Sequence, residues 1–246
     1  MTSGLNVLAR ISQADAEGLL PYAQVQATFG PVTAIFSGTE LPVNVATLAP
    51  DSTPTAEDLR ATADFFESHG VGASVQVFSD VNTTTLNALA EAGFTLTQVL
   101  HVYLHPLHPL PKLSALTVQD APPRLWADVA SRAFGPGSEA IMRVNAELPD
   151  RTLLMAWLDG QPAGVGLMEI KHGVALLFSG ATLPEQRNRG VQSALLSARL
   201  NGAAQLGADL ASVCVTPGSG SERNVSRAGF VQCGSRLRFE KIQPNN

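Results

Sequence analysis

The sequence predicts a mixed α/β protein of two similar halves, each a largely antiparallel sheet opened by one parallel strand pair. Three observations carry this. Short apolar runs bounded by turn residues alternate with helical apolar stripes in both halves. One such stripe separates the run 174–178 from the run 210–215, and a helical crossover makes two strands parallel. Finally, the punctuation recurs: Phe36-Ser37-Gly38, Gly70 and Ala92-Gly93-Phe94 in the first half, Phe178-Ser179-Gly180, Gly207 and Ala228-Gly229-Phe230 in the second. The spacings are 34 and 23 residues, then 29 and 22, which reads as an internal repeat with a longer loop in the first half.

In the first half Pro54 suits a first helical turn, Leu59, Ala63 and Phe66 form the apolar stripe, and Gly70 ends the helix. A strand over 71–78, a helix over 84–91 and a strand over 94–104 follow. Then come His105-Pro106-Leu107-His108-Pro109-Leu110-Pro111, whose three prolines cannot continue a helix or a central strand. Residues 105–113 are therefore expected as an extended linker between a domain at 1–104 and one at 114–246. In the second half, strands are expected at 152–158 and 163–170 around the hairpin turn Asp159-Gly160. Gly173 then turns the chain into 174–178, completing an antiparallel meander. A helix over 190–205 places Val191, Ala194, Leu195, Ala198 and Gly202 on one face and Arg199 off it, and Gly207 stops it. A buried strand at 210–215, a short helix at 220–228 and a last strand at 230–242 complete the half.

The chain has 246 residues, 45% apolar and 15% charged, which excludes a disordered or fibrous protein. Cys214 and Cys233 are the only cysteines, too few for a disulfide scaffold or a four-thiolate zinc site, and no metal is expected. The start MTSGLNVLAR lacks a basic region followed by an apolar run, and no segment is apolar enough to span a bilayer. A cytoplasmic protein without a membrane partner is expected. Residues 1–112 carry three basic and ten acidic side chains, against 13 and 11 in 113–246. An acidic first half argues against nucleic-acid binding and leaves an anionic small ligand to the second half.

The informative segment is Gln186-Arg187-Asn188-Arg189-Gly190-Val191-Gln192, between a strand and a helix start. Free N–H groups and the helix dipole make that place positive, Gly190 lets backbone approach a ligand, and two arginines add charge. A phosphate or pyrophosphate suits it. The loop lacks the Gly-Lys-Ser/Thr ending of a Walker loop and the three spaced glycines of a dinucleotide fingerprint.

Arg187-Asn188-Arg189-Gly190-Val191-Gln192 resembles the Gln/Arg-x-x-Gly-x-Gly/Ala signature with which the GCN5-related N-acetyltransferase (GNAT) superfamily binds the pyrophosphate of acetyl-CoA. The preceding hairpin, the helix that the loop opens, the buried strand after it, and the short helix with Ser221-Glu222-Arg223-Asn224 ending at Ala228-Gly229-Phe230 agree. The resemblance covers about residues 114–242, and the first half only through the repeat. It implies tandem acyl-CoA N-acyltransferase (GNAT-like) folds, similar to bacterial proteins with two such halves of which one binds the cofactor. In the first half the segment Leu41–Pro50 replaces the phosphate loop and has neither arginine nor glycine, so no CoA is expected there.

By position, the resemblance implies that backbone groups of Ala181, Thr182 and Leu183 pair with the pantetheine arm. It further implies that Arg187, Asn188, Arg189, Gly190, Val191 and Gln192 hold the pyrophosphate, and that Asn224 bonds the cofactor. Gln192 departs from Gly/Ala at the third signature position. The family's carboxylate base is missing from 174–179, and Val225 stands where many members have a tyrosine; Tyr22 and Tyr103 are the only tyrosines, both in the first half. Glu169 on the neighbouring strand and Glu185 beside the loop are candidate bases, each weighed against a plain surface charge. The backbone at Ser179 or Gly180 is a candidate oxyanion donor.

Cys214, Trp126 and Trp157 are expected in the core, Cys233 on the last strand, Ser219 and Ser221 at a helix start, and His101, His105 and His108 as solvated linker residues. The leading reading is an N-acetyltransferase moving an acetyl group from acetyl-CoA to a primary amine of a small molecule or peptide. The acceptor would approach over residues 140–149 and the first half, and a homodimer is compatible with this. The alternatives are a CoA-binding module without turnover and a purely structural protein.

Overall fold

The computed structural model describes residues 7–241. Along the chain run α1 (Val7–Leu19), β1 (Val25–Phe29), β2 (Val32–Phe36), β3 (Val45–Leu48), α2 (Ala56–Ser68), β4 (Ser74–Phe78), α3 (Thr83–Glu91) and β5 (Phe94–His105). Then follow β6 (Thr117–Asp120), α4 (Pro123–Phe134), α5 (Glu139–Glu147), β7 (Arg151–Leu158), β8 (Gln161–Lys171) and β9 (Val174–Thr182). The chain ends with α6 (Val191–Gln205), β10 (Leu210–Val215), α7 (Gly220–Arg227) and β11 (Val231–Lys241). The fold is mixed α/β, as the pattern of strands and helical stripes predicts.

Contacts divide the chain into two compact units: residues up to His101 together with those from Cys233, and Val102–Gln232. The first unit orders its strands β1-β2-β3-β4-β11-β5. Only β3 and β4 are parallel among its registered pairs, with Ala46 opposite Val75 and Thr47 opposite Gln76. Leu59, Ala63 and Phe66 of α2, the predicted stripe, are fully buried against Val32, Ala34 and Val75.

The second unit orders the end of β5, then β10-β9-β8-β7-β6. Helices α4 and α5 cover one face, where Trp126 and Met142 meet Met155, Val165 and Leu167. Helix α6 covers the other, with Leu195 on Ala156 and Ala163, and Leu196 and Leu200 on Met168 and Leu177. The side chains of α6 are buried nearly all round, Arg199 included, so the single apolar face expected for this helix is too narrow. Glycines on β8 permit this depth: a Cβ at Gly164 would lie 2.8 Å from Val191 Cγ1.

Three expectations change. The order β1-β2-β3-α2-β4-α3-β5 does recur as β7-β8-β9-α6-β10-α7-β11, and Gly70/Gly207 and Gly93/Gly229 occupy matching turns with positive φ. The Phe-Ser-Gly match does not belong to the repeat: Phe36 ends β2, whereas Phe178 lies in β9, the counterpart of β3. Secondly, Leu41–Pro50 contains β3 itself, so the counterpart of the phosphate loop is 49–55. Thirdly, residues 105–113 are not a free linker. Leu107 is buried in the core of the second unit, and Asn201 Nδ2 donates to Pro111 O at 3.1 Å. His105 is buried as well: its Nδ1 accepts from the Leu107 N–H at 3.0 Å and its ring lies 5.3 Å from that of Phe230. Burial pushes the His105 pKa down. The compact units also take Cys233 onward with the first half, where 114–246 was expected as one domain; Ile242 lies outside the described residues.

Candidate active site

Strands β9 and β10 pair in parallel only from Leu210 opposite Val174 to Ser212 opposite Leu176. Both continue beyond that point, β9 to Thr182 and β10 to Val215, without further registered pairs. The far half of β9 thus keeps β8 on one edge and an opening on the other. Such an opening, outside the carboxyl ends of parallel strands at a crossover, is where open α/β sheets bind ligands.

At the same place β9 bulges. Val165 faces Ala181 and Leu167 faces Phe178, so Ser179 and Gly180 together oppose Gly166. Ser179 has φ 48°, the left-handed region. A bulge leaves its extra residue out of the ladder. Trp126, fully buried in α4, donates from Nε1 to the Gly166 carbonyl at 3.2 Å across the irregularity.

The phosphate-type loop ends this opening. A 3-10 turn at Pro184–Gln186 leads to Asn188 at φ 61° and to Gly190, the N-cap of α6, at φ 80°. A Cβ at Gly190 would find open space, its nearest neighbour being 4.0 Å away, so it is the dihedral that calls for glycine. No side chain caps α6 and no acidic residue sits in its first turn. The N–H groups of Val191, Gln192 and Ser193 therefore have no carbonyl one turn back and point out of the helix. Arg189 is steadied by Asp159 at 2.7 Å and by Gln186 Oε1 at 2.9 Å. Arg187 is exposed, with no ion pair among the described residues.

The other expected contacts divide. Ala181 and Thr182 lie on the half-open stretch of β9. Leu183 does not: it is buried, its N–H donates to Ala163 O and its C=O accepts from the Gln186 N–H, both at 2.9 Å. Gln192 turns its amide toward the bulge, where a Cβ on Gly180 would lie 3.3 Å from its Nε2. Asn224 is half-buried on α7, and Ser219 is that helix's N-cap, accepting from the Glu222 N–H. Val225 is buried in the core behind α7. The Tyr103 hydroxyl, contributed by the end of β5, donates to Glu222 Oε1 on α7 at 3.2 Å.

The candidate bases are engaged. Glu169 is 2% exposed, with Arg151 Nε at 3.3 Å from one carboxylate oxygen and Lys171 Nζ at 3.2 Å from the other. Its neighbour Arg151 directs NH1 to Asn145 Oδ1 at 2.9 Å and lies 5.0 Å over the Phe178 ring; Asn145 Nδ2 donates to Ser179 Oγ at 3.2 Å. Glu169 is thus neither a surface charge nor an open carboxylate but the anion of a buried chain that ends on Ser179. No local pattern in the sequence signals this chain, because Asn145 lies on α5 and meets Arg151 and Ser179 only through the tertiary fold. Glu185 is exposed and paired with Arg132 at 3.1 Å. Cys214 and Cys233 are not joined in a disulfide, and burial pushes the thiol pKa of Cys233 up.

Among solved structures, the chain is similar to a GCN5-related N-acetyltransferase from Kribbella flavida, with a TM-score of 0.79 and 18% identity over 98% of each chain. It is also similar to a GCN5-related N-acetyltransferase from Sphaerobacter thermophilus (TM-score 0.64, 14% identity, 88% of this chain and 78% of that one). A tandem GNAT protein from the clavulanic acid biosynthesis pathway matches with a TM-score of 0.62 and 13% identity, over 87% and 79%. No family model and no curated protein sequence matches. The chain therefore has the GCN5-related N-acetyltransferase fold. No helix among the described residues is long and apolar enough to cross a membrane.

Proposed function

We propose that the second unit transfers an acetyl group from acetyl-CoA to the primary amine of a small molecule or peptide, in a ternary complex, and that the first unit is a degenerate copy without CoA. The observation that carries this is the opening between β9 and β10, set directly before the uncapped, arginine-flanked start of α6. The donor set fits the cofactor: unpaired helix N–H groups and Arg187 suit a pyrophosphate, and a strand edge suits the amides of pantetheine. Ala181 and Thr182 would hold the arm, residues 188–192 the phosphates, and Asn224 would add a hydrogen bond.

Bound acetyl-CoA supplies an activated thioester. The peptide at Ser179–Gly180, free of the ladder, presents an N–H donor for the carbonyl oxygen as it gains charge. The amine nitrogen would bond the carbonyl carbon as the carbon–sulfur bond breaks, and the proton lost by the nitrogen would pass through water to the departing thiolate. Much of the acceleration would come from holding amine and thioester together. Glu169, held by two cations, serves by fixing Arg151, Asn145 and Ser179 rather than by accepting a proton. That same engagement of Glu169 favours, as a second reading, a CoA-binding module without turnover.

Calorimetric titration with acetyl-CoA tests the proposal, beside the double variant Arg187→Ala/Arg189→Ala. Micromolar binding, abolished in the variant, is expected, followed by thiol release with an amine panel. Binding without thiol release selects the second reading, and no binding to the folded protein ends both.

A further inference from the structure

Arg199 is a fully buried cation with no carboxylate within ion-pair distance among the described residues. Its Nε donates to Leu195 O at 3.2 Å, and NH1 lies 3.5 Å from Leu167 O. Neither acceptor carries a charge. Buried charges are ordinarily paired, and an apolar side chain of similar volume would stabilise this core as well or better. Stability therefore does not account for a guanidinium here. It remains a cation at neutral pH, although burial pulls its pKa down to about 10.

The place of the group is specific. A Cβ on Gly166 would lie 3.0 Å from Nε, and one on Gly180 would lie 3.1 Å from NH2 and 3.4 Å from NH1. The guanidinium thus rests beneath the two glycines that face each other across the β9 bulge, on the α6 side of the sheet. Any larger residue at either position would displace it. Arg151, the other buried cation of this unit, faces the carboxylate of Glu169. Positive charge uncompensated by a side chain is thus concentrated under the Ser179–Gly180 peptide, in a place from which water is excluded and fields are weakly screened. Gln192, two turns earlier on α6, directs its amide to the same glycine.

We infer that Arg199 is a positioning residue for acyl transfer, which holds the Ser179–Gly180 bulge in shape and places a water-excluded positive charge beneath the peptide that receives the acyl oxygen. The inference rests on the acetyl-transfer reading above. It gives the unusual pairing of a buried arginine with two facing glycines one purpose: polarising the carbonyl bond before the amine arrives. The side chain does not touch the substrate and acts through the backbone above it.

The test is infrared difference spectroscopy of bound acetyl-CoA labelled with carbon-13 at the carbonyl, with calorimetric titration of CoA alone beside it. In the wild type the carbonyl band is expected to move to lower frequency than in free acetyl-CoA. R199M, which fills the space without charge, should lose most of that shift while its CoA affinity is unchanged. R199K, whose ammonium falls short of Gly180, should show an intermediate shift, and it carries the test if R199M does not fold. An unaltered band in a folded Arg199 variant overturns the inference alone, since CoA still binds. A wild type that binds neither CoA nor acetyl-CoA overturns the acetyl-transfer reading, and the inference falls with it.

Discussion

The parallel strand pairs of the two units open in front of helices whose first turns are opposites. In the second unit α6 starts at Gly190 with no side-chain cap and with Arg187 and Arg189 beside it. In the first unit α2 starts at Thr55 with a complete capping box. Thr55 Oγ1 accepts from the Asp58 N–H at 3.1 Å, and Asp58 Oδ2 accepts from the Thr55 N–H at 2.8 Å. Glu57 joins Asp58 in that turn, and the loop 49–55 holds neither glycine nor arginine. A helix start must have its N–H groups satisfied by something. Helix α2 satisfies its own and sets carboxylates at its start, so a phosphate would forgo hydrogen bonds and meet like charge. Helix α6 has no side chain that satisfies them. A cavity of about 310 Å3 persists at the first opening, but Asp51 and Asp80 line it, the wrong sign for a pyrophosphate. One topology thus gives one helix start that leaves its N–H groups uncapped and one that caps its own and adds carboxylates, and a handful of residues makes the difference.

The strongest way to break this contrast is at the arginines. Arg187→Ala/Arg189→Ala should weaken acetyl-CoA binding at least about a hundredfold, since each charge-assisted hydrogen bond to a phosphate contributes roughly 1.5–3 kcal/mol. Calorimetry that finds unchanged affinity would move the phosphate elsewhere. Glu169→Gln comes next. The first unit keeps its ion pair Arg236–Asp15 partly exposed, whereas Arg151–Glu169 is fully buried. Stripping one partner of a buried pair costs about 3–5 kcal/mol. A marked fall in melting temperature with an unchanged pH–rate profile is expected; disappearance of the acidic limb, where the rate rises with pH, would make Glu169 the base after all.

Smaller effects sharpen the picture. Gly190→Ala must hold a side chain at φ 80° and should cost about 1–2 kcal/mol at the start of α6, read as faster amide exchange there and weaker acetyl-CoA binding. Thr55→Ala removes the cap of α2 and should cost about 1 kcal/mol of stability in denaturant melts. It should leave acetyl-CoA affinity untouched, and a second binding event in its titration would refute the view that α2 is closed by its charges as well as its cap.

The smallest effect concerns pH. The folded protein depresses the His105 pKa by burial, so the unfolded chain binds more protons, and stability falls as pH drops from about 6.5 through the lowered folded value. His105 supports the turn into β11, a Cβ on Gly229 lying 3.4 Å from its ring. Melts at pH 7.5 and 5 should show an acid-side loss that His105→Gln abolishes; an identical slope in the variant would assign that loss to other groups.

Much of this was legible in one dimension. The stripe Leu59, Ala63, Phe66, the strand 210–215, the helix stops at Gly70 and Gly207, and the loop 186–192 all follow from local rules of periodicity, turn chemistry and helix ends. Such rules act over a few residues, and the sequence records them directly. Local chemistry also marked the start of α6, since two arginines and a glycine need no neighbours to be read, whereas the counterpart loop of the first half lies at 49–55 rather than at Leu41–Pro50 and its cap at Thr55 emerges only from the structure.

What only the tertiary structure decided depends on partners far apart in the chain. Periodicity placed Arg199 on the polar side of α6, yet glycines 33 and 19 residues before it make room for burial. Glu169 looked like a free carboxylate until Arg151 and Lys171 closed on it. The prolines after His105 read as a linker, although Leu107 and His105 find a core whose other walls come from α6 and Phe230. The last strand, too, gave no sign that it would pair with β4, because an antiparallel register is set by the partner it meets and not by its own alternation. Local structure is written in short-range sterics and hydrogen bonds; charge burial, strand partnership and the shape of the bulge are decided when distant segments exclude water from one another.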